Sequence, residues 1–173
     1  MITSTANQQM KLLVQLNKKR KLRDERGVFV VEGLKMFREA PGERIEKVYF
    51  SESFFAKHKT DLEKRIQQEK LDYEIVTDHV FKAASDTQTP QGVLCIVRQQ
   101  ESELKTLLEA EKPLLLLLEN LQDPGNLGTI LRTAEGAGVT GVILSKGCVD
   151  LYNPKTIRST MGSVYRVPTL YTE

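Results

Sequence analysis

Tryptophan is absent, cysteine occurs only twice, and no unbroken apolar run exceeds five residues. Each scarcity excludes something. A run of five falls far short of the roughly 20 apolar residues that a membrane-spanning helix needs, so no membrane partner is expected. Cys95 and Cys148 each sit alone in an apolar, strand-like run. A disulfide framework or a cysteine-rich zinc site takes more cysteines at closer spacing, so no metal is expected. Residues 1–10 are polar and lack a basic-then-apolar leader, which points to a cytoplasmic location. Nucleotide fingerprints are missing too. Gly125 and Gly128 do not complete G-x-G-x-x-G, and no Gly-Lys-Ser/Thr run follows a glycine-rich loop.

The formal charge of +2 conceals an asymmetry. Residues 1–26 hold seven basic residues against two acidic ones, a net of +5. Beyond Arg26 remain 18 basic and 21 acidic residues, a net of −3. Charge gathered into one short segment points to nucleic acid better than overall isoelectric point does. Leu12, Leu13 and Leu16 recur at helical spacing, so residues 7–22 read as a helix with Lys18, Lys19, Arg20, Lys21 and Arg23 at its far end. Cations are also favoured at a helix C-terminus by the macrodipole, which leaves a solvated helix end as the plainer reading. Six basic residues within ten positions exceed what capping requires.

Strands are expected at 28–31, 45–50, 73–76 and 93–98, and helices from about Gly33 to Ala40, over 52–70, and over 78–84 with Asp78 as N-cap. A polar loop fills 85–92. Strands alternating with helices make an α/β layered domain over 27–98. Residues 99–112 are rich in Glu, Lys and Leu without Gly or Pro, and read as a helical connector. From Pro113 the pattern changes. The run 114–118 reads as a strand buried on both faces of a parallel sheet. A Gly/Pro-containing loop over 119–126, a helix from about Leu127 to Ala137 and a strand at 142–144 complete a βαβ unit. The ligand site of such a unit lies beyond the carboxyl end of its first strand.

The segment Asp123-Pro-Gly-Asn-Leu-Gly-Thr-Ile-Leu-Arg132 is the most informative. Asn126 is placed to cap the helix. Leu127, Ile130, Leu131 and Ala134 fall on one face, and Thr129, Arg132, Thr133 and Gly136 on another. Three small residues beside one guanidinium would let a phosphate backbone come close. Spacing alone leaves the plainer reading ahead, in which Asn126 is only a cap and Arg132 a solvent-facing helix residue. Further on, Asn153 and Pro154 look like a helix start, with Lys155 and Arg158 on a surface helix.

Residues 119–134, Glu-Asn-Leu-Gln-Asp-Pro-Gly-Asn-Leu-Gly-Thr-Ile-Leu-Arg-Thr-Ala, resemble the first signature motif of SpoU/TrmH-type methyltransferases of the SPOUT superfamily. Asn153-Pro-Lys-Thr-Ile-Arg-Ser-Thr-Met-Gly162 is similar to the segment that follows it. The front end, from Ala6-Asn7 through the basic cluster to Phe29-Val-Val-Glu-Gly33, and Gln88-Thr-Pro-Gln-Gly92 resemble the substrate-binding domain of bacterial members. The resemblance implies an α/β chain: a small N-terminal α/β RNA-binding domain, then an incomplete Rossmann-like SPOUT (α/β-knot) domain over 113–173. It implies methyl transfer from S-adenosylmethionine to a ribose 2′-hydroxyl of RNA, ribosomal RNA being favoured over transfer RNA. The arginine matching Arg132 would activate that hydroxyl with help from an RNA phosphate, and Asn126 would shape the same pocket. Lys18, Lys19, Arg20, Lys21, Arg23 and Arg158 are the expected RNA contacts.

The second and third family motifs, which form the donor-binding loops, have no counterpart here. The donor site is therefore expected to be missing or incomplete, and the 173-residue chain by itself inactive. A homodimer is expected of the full-length protein. Two other readings stay open. One is a non-catalytic RNA-binding module. The other is a small-molecule α/β enzyme, against which the basic N-terminal segment argues.

Overall fold

A computed structural model describes residues 1–172, which form two compact units, Met1–Gln99 and the residues from Gln100 onward. In the first unit, α1 (Gln8–Lys18) and α2 (Arg20–Arg26) precede β1 (Val28–Glu32). The single helix expected over 7–22 is broken at Lys19, whose extended backbone (φ −115, ψ 103) turns the chain between them. Then come α3 (Leu34–Glu39), β2 (Ile45–Ser51), α4 (Glu52–Glu69), β3 (Tyr73–Val76), α5 (Asp78–Ala84) and β4 (Val93–Arg98). The sheet order is β1-β4-β2-β3, with β4 antiparallel to both neighbours and β2 parallel to β3. At the β3 edge, Ile2 donates to the carbonyl of Ile75 at 2.8 Å and accepts from Thr77 at 3.0 Å.

Alternation along the strands sends side chains to two faces. Val28, Val30, Tyr49, Val76, Leu94 and Ile96 face Met10, Leu13 and Leu16 of α1 and Val80, Phe81 and Ala84 of α5. On the other face Phe50 packs between Phe37 of α3 and Phe55 of α4, with ring centroids 5.6 Å from each. The basic helices thus belong to the core of this unit, whereas sequence pattern alone sets 1–26 apart from 27–98. The N-cap of α5 is Thr77, one residue before the expected Asp78. Asp78 instead accepts from the Ser53 hydroxyl at 2.8 Å, tying α5 to α4.

In the second unit the expected connector helix shrinks to α6 (Leu104–Leu108). β5 (Leu115–Leu118), α7 (Pro124–Gly136), β6 (Gly141–Ser145), α8 (Pro154–Thr160) and β7 (Thr169–Thr172) follow. The three strands are parallel in the order β5-β6-β7. Val142 and Leu144 of central β6 are fully buried. β5 is a correction to the expectation of burial on both faces. It lies at the sheet edge and Leu117 is 70% exposed. No helix among the described residues is long and apolar enough to cross a membrane, and no group of three or more potential ligands is placed to hold a metal.

Candidate functional site

α7 starts three residues earlier than its apolar periodicity suggests. Asp123, not Asn126, is the N-cap: its carboxylate accepts from the Asn126 N–H at 2.6 Å, and Pro124 occupies the first helical turn. The Asp-Pro pair is the available signal, since proline is favoured just inside a helix start. The same rule succeeds at α8, where Asn153 Oδ1 accepts from Lys155 N at 2.9 Å ahead of Pro154.

The two faces of α7 form as the spacing implies. Leu127 and Leu131 are fully buried and Ala134 nearly so, while Thr129, Arg132, Thr133 and Gly136 are all exposed. Arg132 has no hydrogen-bond or ion-pair partner among the described residues. Its helix bears Glu135, but that carboxylate is taken by Arg166, whose hydrogen bond chiefly holds its pKa below the usual value. Six residues along a helix span about 9 Å and about 120° of rotation, so Asn126 and Arg132 do not share a face. Thr129 and Thr133 line a shallow groove of about 400 Å³ whose apolar wall is Leu116, Leu118 and Ile130.

Gly128 lies in the sequence motif with no role that spacing reveals. A Cβ there would stand 2.7 Å from the Ser159 carbonyl carbon and 2.9 Å from Thr160 N. Only glycine lets α7 approach α8 this closely, and a glycine inside a helix is the sequence signal for it. Arg158 lies half-buried on α8.

Beyond β5 and β6, where a ligand crevice is expected, the two loops bond to each other. Leu121 N donates to Cys148 Sγ at 3.4 Å, Val149 N to the Leu121 carbonyl at 2.7 Å, and Gln122 Nε2 to the Gly147 carbonyl. A Cβ at Gly147 would already stand 3.2 Å from Asn120 Cγ. These contacts tie the loop after β5 to the loop after β6.

In the first unit Lys18, Lys19, Arg20 and Lys21 are exposed around the α1–α2 break. Arg20 and Lys21 lie 3.4 and 3.7 Å from Asp24 and Glu25, pairs that exposure makes weak. Arg23 is a correction. It is 3% exposed and its Nη1 donates to the carbonyls of Leu16 and Asn17 at the end of α1. A guanidinium spent on buried carbonyls cannot reach a phosphate.

Residues 7–95 match a model of the MRM3-like substrate binding domain, and residues 113–173 match that of the SpoU rRNA Methylase family. The chain is 38% identical over 160 residues to the mitochondrial rRNA methyltransferase 3 of Homo sapiens, covering 88% of this chain and 37% of that protein. It is 36% identical over 172 residues to the 23S rRNA (guanosine(2553)-2′-O)-methyltransferase RlmP of Bacillus subtilis, covering 98% of this chain and 64% of that one. The AdoMet-bound rRNA methyltransferase of Sinorhizobium meliloti superposes with a TM-score of 0.82 at 29% identity, over 98% of this chain and 63% of the other. The chain therefore spans less than two thirds of the length of each. With the substrate-binding model and the methylase model matched in succession along nearly all its residues, the chain belongs to the SpoU rRNA methylase family.

Proposed function

We propose that the natural gene product methylates a ribose 2′-hydroxyl of ribosomal RNA with S-adenosylmethionine as donor. In this reading the first unit holds the RNA and α7 presents the activating arginine. The observation that carries it is the state of Arg132. It is an exposed guanidinium with no partner among the described residues, projecting from a helix inside the SpoU-matched segment. An arginine kept for protein stability is normally engaged, as Arg23 and Arg65 are.

A ribose hydroxyl is a poor nucleophile until its proton is drawn away. A guanidinium offers five donors and no acceptor, so Arg132 acts by charge and does not serve as a simple base. It binds an RNA phosphate through paired N–H donors and stabilises the developing alkoxide beside it. The small neighbours Thr129, Thr133 and Gly136 admit the ribose-phosphate backbone to the helix surface. Asn126, six residues earlier and about 120° around the helix, borders the site from the helix start and not from the Arg132 face.

Lys18, Lys19, Arg20 and Lys21 supply phosphate contacts in the first unit, and Arg158 an RNA contact in the second. A cytoplasmic location and a homodimer accompany this reading. Light scattering and cell fractionation check them. The RNA reading is tested by filter binding of ribosomal RNA fragments over a range of salt. Retention that falls steeply with salt supports it, and no retention at low salt sinks it.

A further inference from the structure

We propose that the first unit takes an unpaired RNA nucleobase where the 85–92 loop meets the start of α4. The base lies on the Phe54–His58 ring pair and offers an acceptor to the Gln91 side-chain amide. This rests on the RNA reading above and narrows it to unpaired nucleotides.

The loop is Ser-Asp-Thr-Gln-Thr-Pro-Gln-Gly, polar apart from Pro90. A carboxylate holds it instead. Glu32 Oε1 accepts from the hydroxyls of Ser85 and Thr87 at 2.7 and 2.5 Å, and Oε2 from Asp86 N at 3.3 Å. Fixing a largely polar loop this firmly costs conformational entropy, and Pro90 is its one apolar side chain. A preformed contact surface accounts for it.

Gln91 shows what the surface offers. Its Oε1 accepts from Leu34 N at 3.0 Å, which settles the oxygen end of the amide. The Nε2 end has no partner among the described residues, and the side chain is exposed. Two donors are thus held ready for a base carbonyl or ring nitrogen. The next residue, Gly92, has φ +88, and a Cβ there would stand 2.7 Å from Phe54 Cγ and 2.8 Å from Ser51 Oγ. The loop therefore ends directly on the Phe54 side chain.

Phe54 and His58 form a partly exposed pair with ring centroids 4.6 Å apart and planes 38° from parallel. At His58 the backbone leaves helical geometry (φ −114, ψ 17) in the middle of α4, with neither Pro nor Gly beside it. Lys57, between the two rings in sequence, is exposed and has no partner among the described residues. A π-face, a neighbouring cation and a fixed amide donor are the parts by which proteins bind unstacked bases. A base inside a duplex cannot reach them.

The test is fluorescence anisotropy of the protein with a short labelled uridine-containing RNA, single-stranded and as a duplex. Gln91→Glu keeps the acceptor for Leu34 N but replaces the donor end with an acceptor. It should leave the thermal midpoint in place and weaken single-strand binding about tenfold. Phe54→Leu removes the ring face and should weaken binding by about 5- to 160-fold. A combined Lys18→Gln, Lys19→Gln, Lys21→Gln variant serves as the control for phosphate binding. If the control loses affinity while both site variants bind within twofold of the unsubstituted protein, the base site is wrong and the RNA reading stands. Equal weakening by the site variants on duplex overturns the claim of an unpaired base. Failure of the unsubstituted protein to bind any RNA at low salt overturns both readings together.

Discussion

Arg23 is 3% exposed and donates to two carbonyls, while Arg132 stands in solvent with no partner among the described residues. Losing Arg23 leaves the carbonyls of Leu16 and Asn17 without their donor, and a buried hydrogen bond to a charged group is worth about 1.5–3 kcal/mol. Arg23→Ala should lower unfolding free energy by about that amount in urea titration. Arg132→Ala should change it by under about 0.5 kcal/mol, as an exposed residue that nothing engages does. A second residue gives a test in pH. Burial first, then Asp72, Glu74 and Glu46, push the Tyr49 phenol up to about 12, and its hydroxyl donates to Gln9 Oε1 at 3.0 Å. An unfolded tyrosine ionises near pH 10. Its contribution is thus fully present below about pH 10 and is lost as pH rises toward about 12. Tyr49→Phe should flatten the fall in thermal midpoint over that window. An unchanged fall would assign it to other groups.

α7 and α8 illustrate how close packing between helices depends on a single side chain. A Cβ at Gly128 would meet backbone atoms of Ser159 and Thr160, which cannot move aside as a flexible side chain can. Gly128→Val should cost about 1–3 kcal/mol through overpacking, read as a drop in denaturant midpoint, and Gly128→Ala somewhat less. An unaffected midpoint would show that the helices can separate at no cost. The elements themselves are largely legible in the sequence, because period-two and helical spacing are local signals. β3 and β4 fall at the expected residues, and the exposed face of α7 is the expected one. What fails depends on distant neighbours. The leucine run of β5 carries no mark that its outer edge goes uncovered, and residues 99–112 have helical composition but only five helical residues. Nor can spacing reveal that one arginine of the basic cluster turns inward. Leu16 and Asn17 meet Arg23 only because the chain breaks at Lys19. The Gln91, Phe54 and His58 grouping is hidden for the same reason. A loop and a helix far apart in sequence share no local pattern.

Across the whole chain, charge is unequally divided. The net +5 of residues 1–26 resides in helices whose other side is core, so Lys18, Lys19, Arg20 and Lys21 face outward. Removing one cation that neutralises a phosphate lowers the slope of log affinity against log salt by roughly 0.7 to 0.9. Neutralising Lys18, Lys19 and Lys21 should therefore reduce the slope by roughly two to three, and an unchanged slope would return them to ordinary helix-end charges. The second unit contributes Arg132, an exposed guanidinium without a partner among the described residues, in a segment that matches the SpoU rRNA Methylase model. The central claim concerns what that group does. Its most direct test is transfer of labelled methyl from S-adenosylmethionine to ribosomal RNA by the natural gene product, unsubstituted and as Arg132→Ala, at matched folded fraction and RNA occupancy. A fall of at least about a hundredfold in rate with RNA affinity nearly retained is the predicted result, a size typical of removing one electrostatic stabiliser. Equal rates would contradict it.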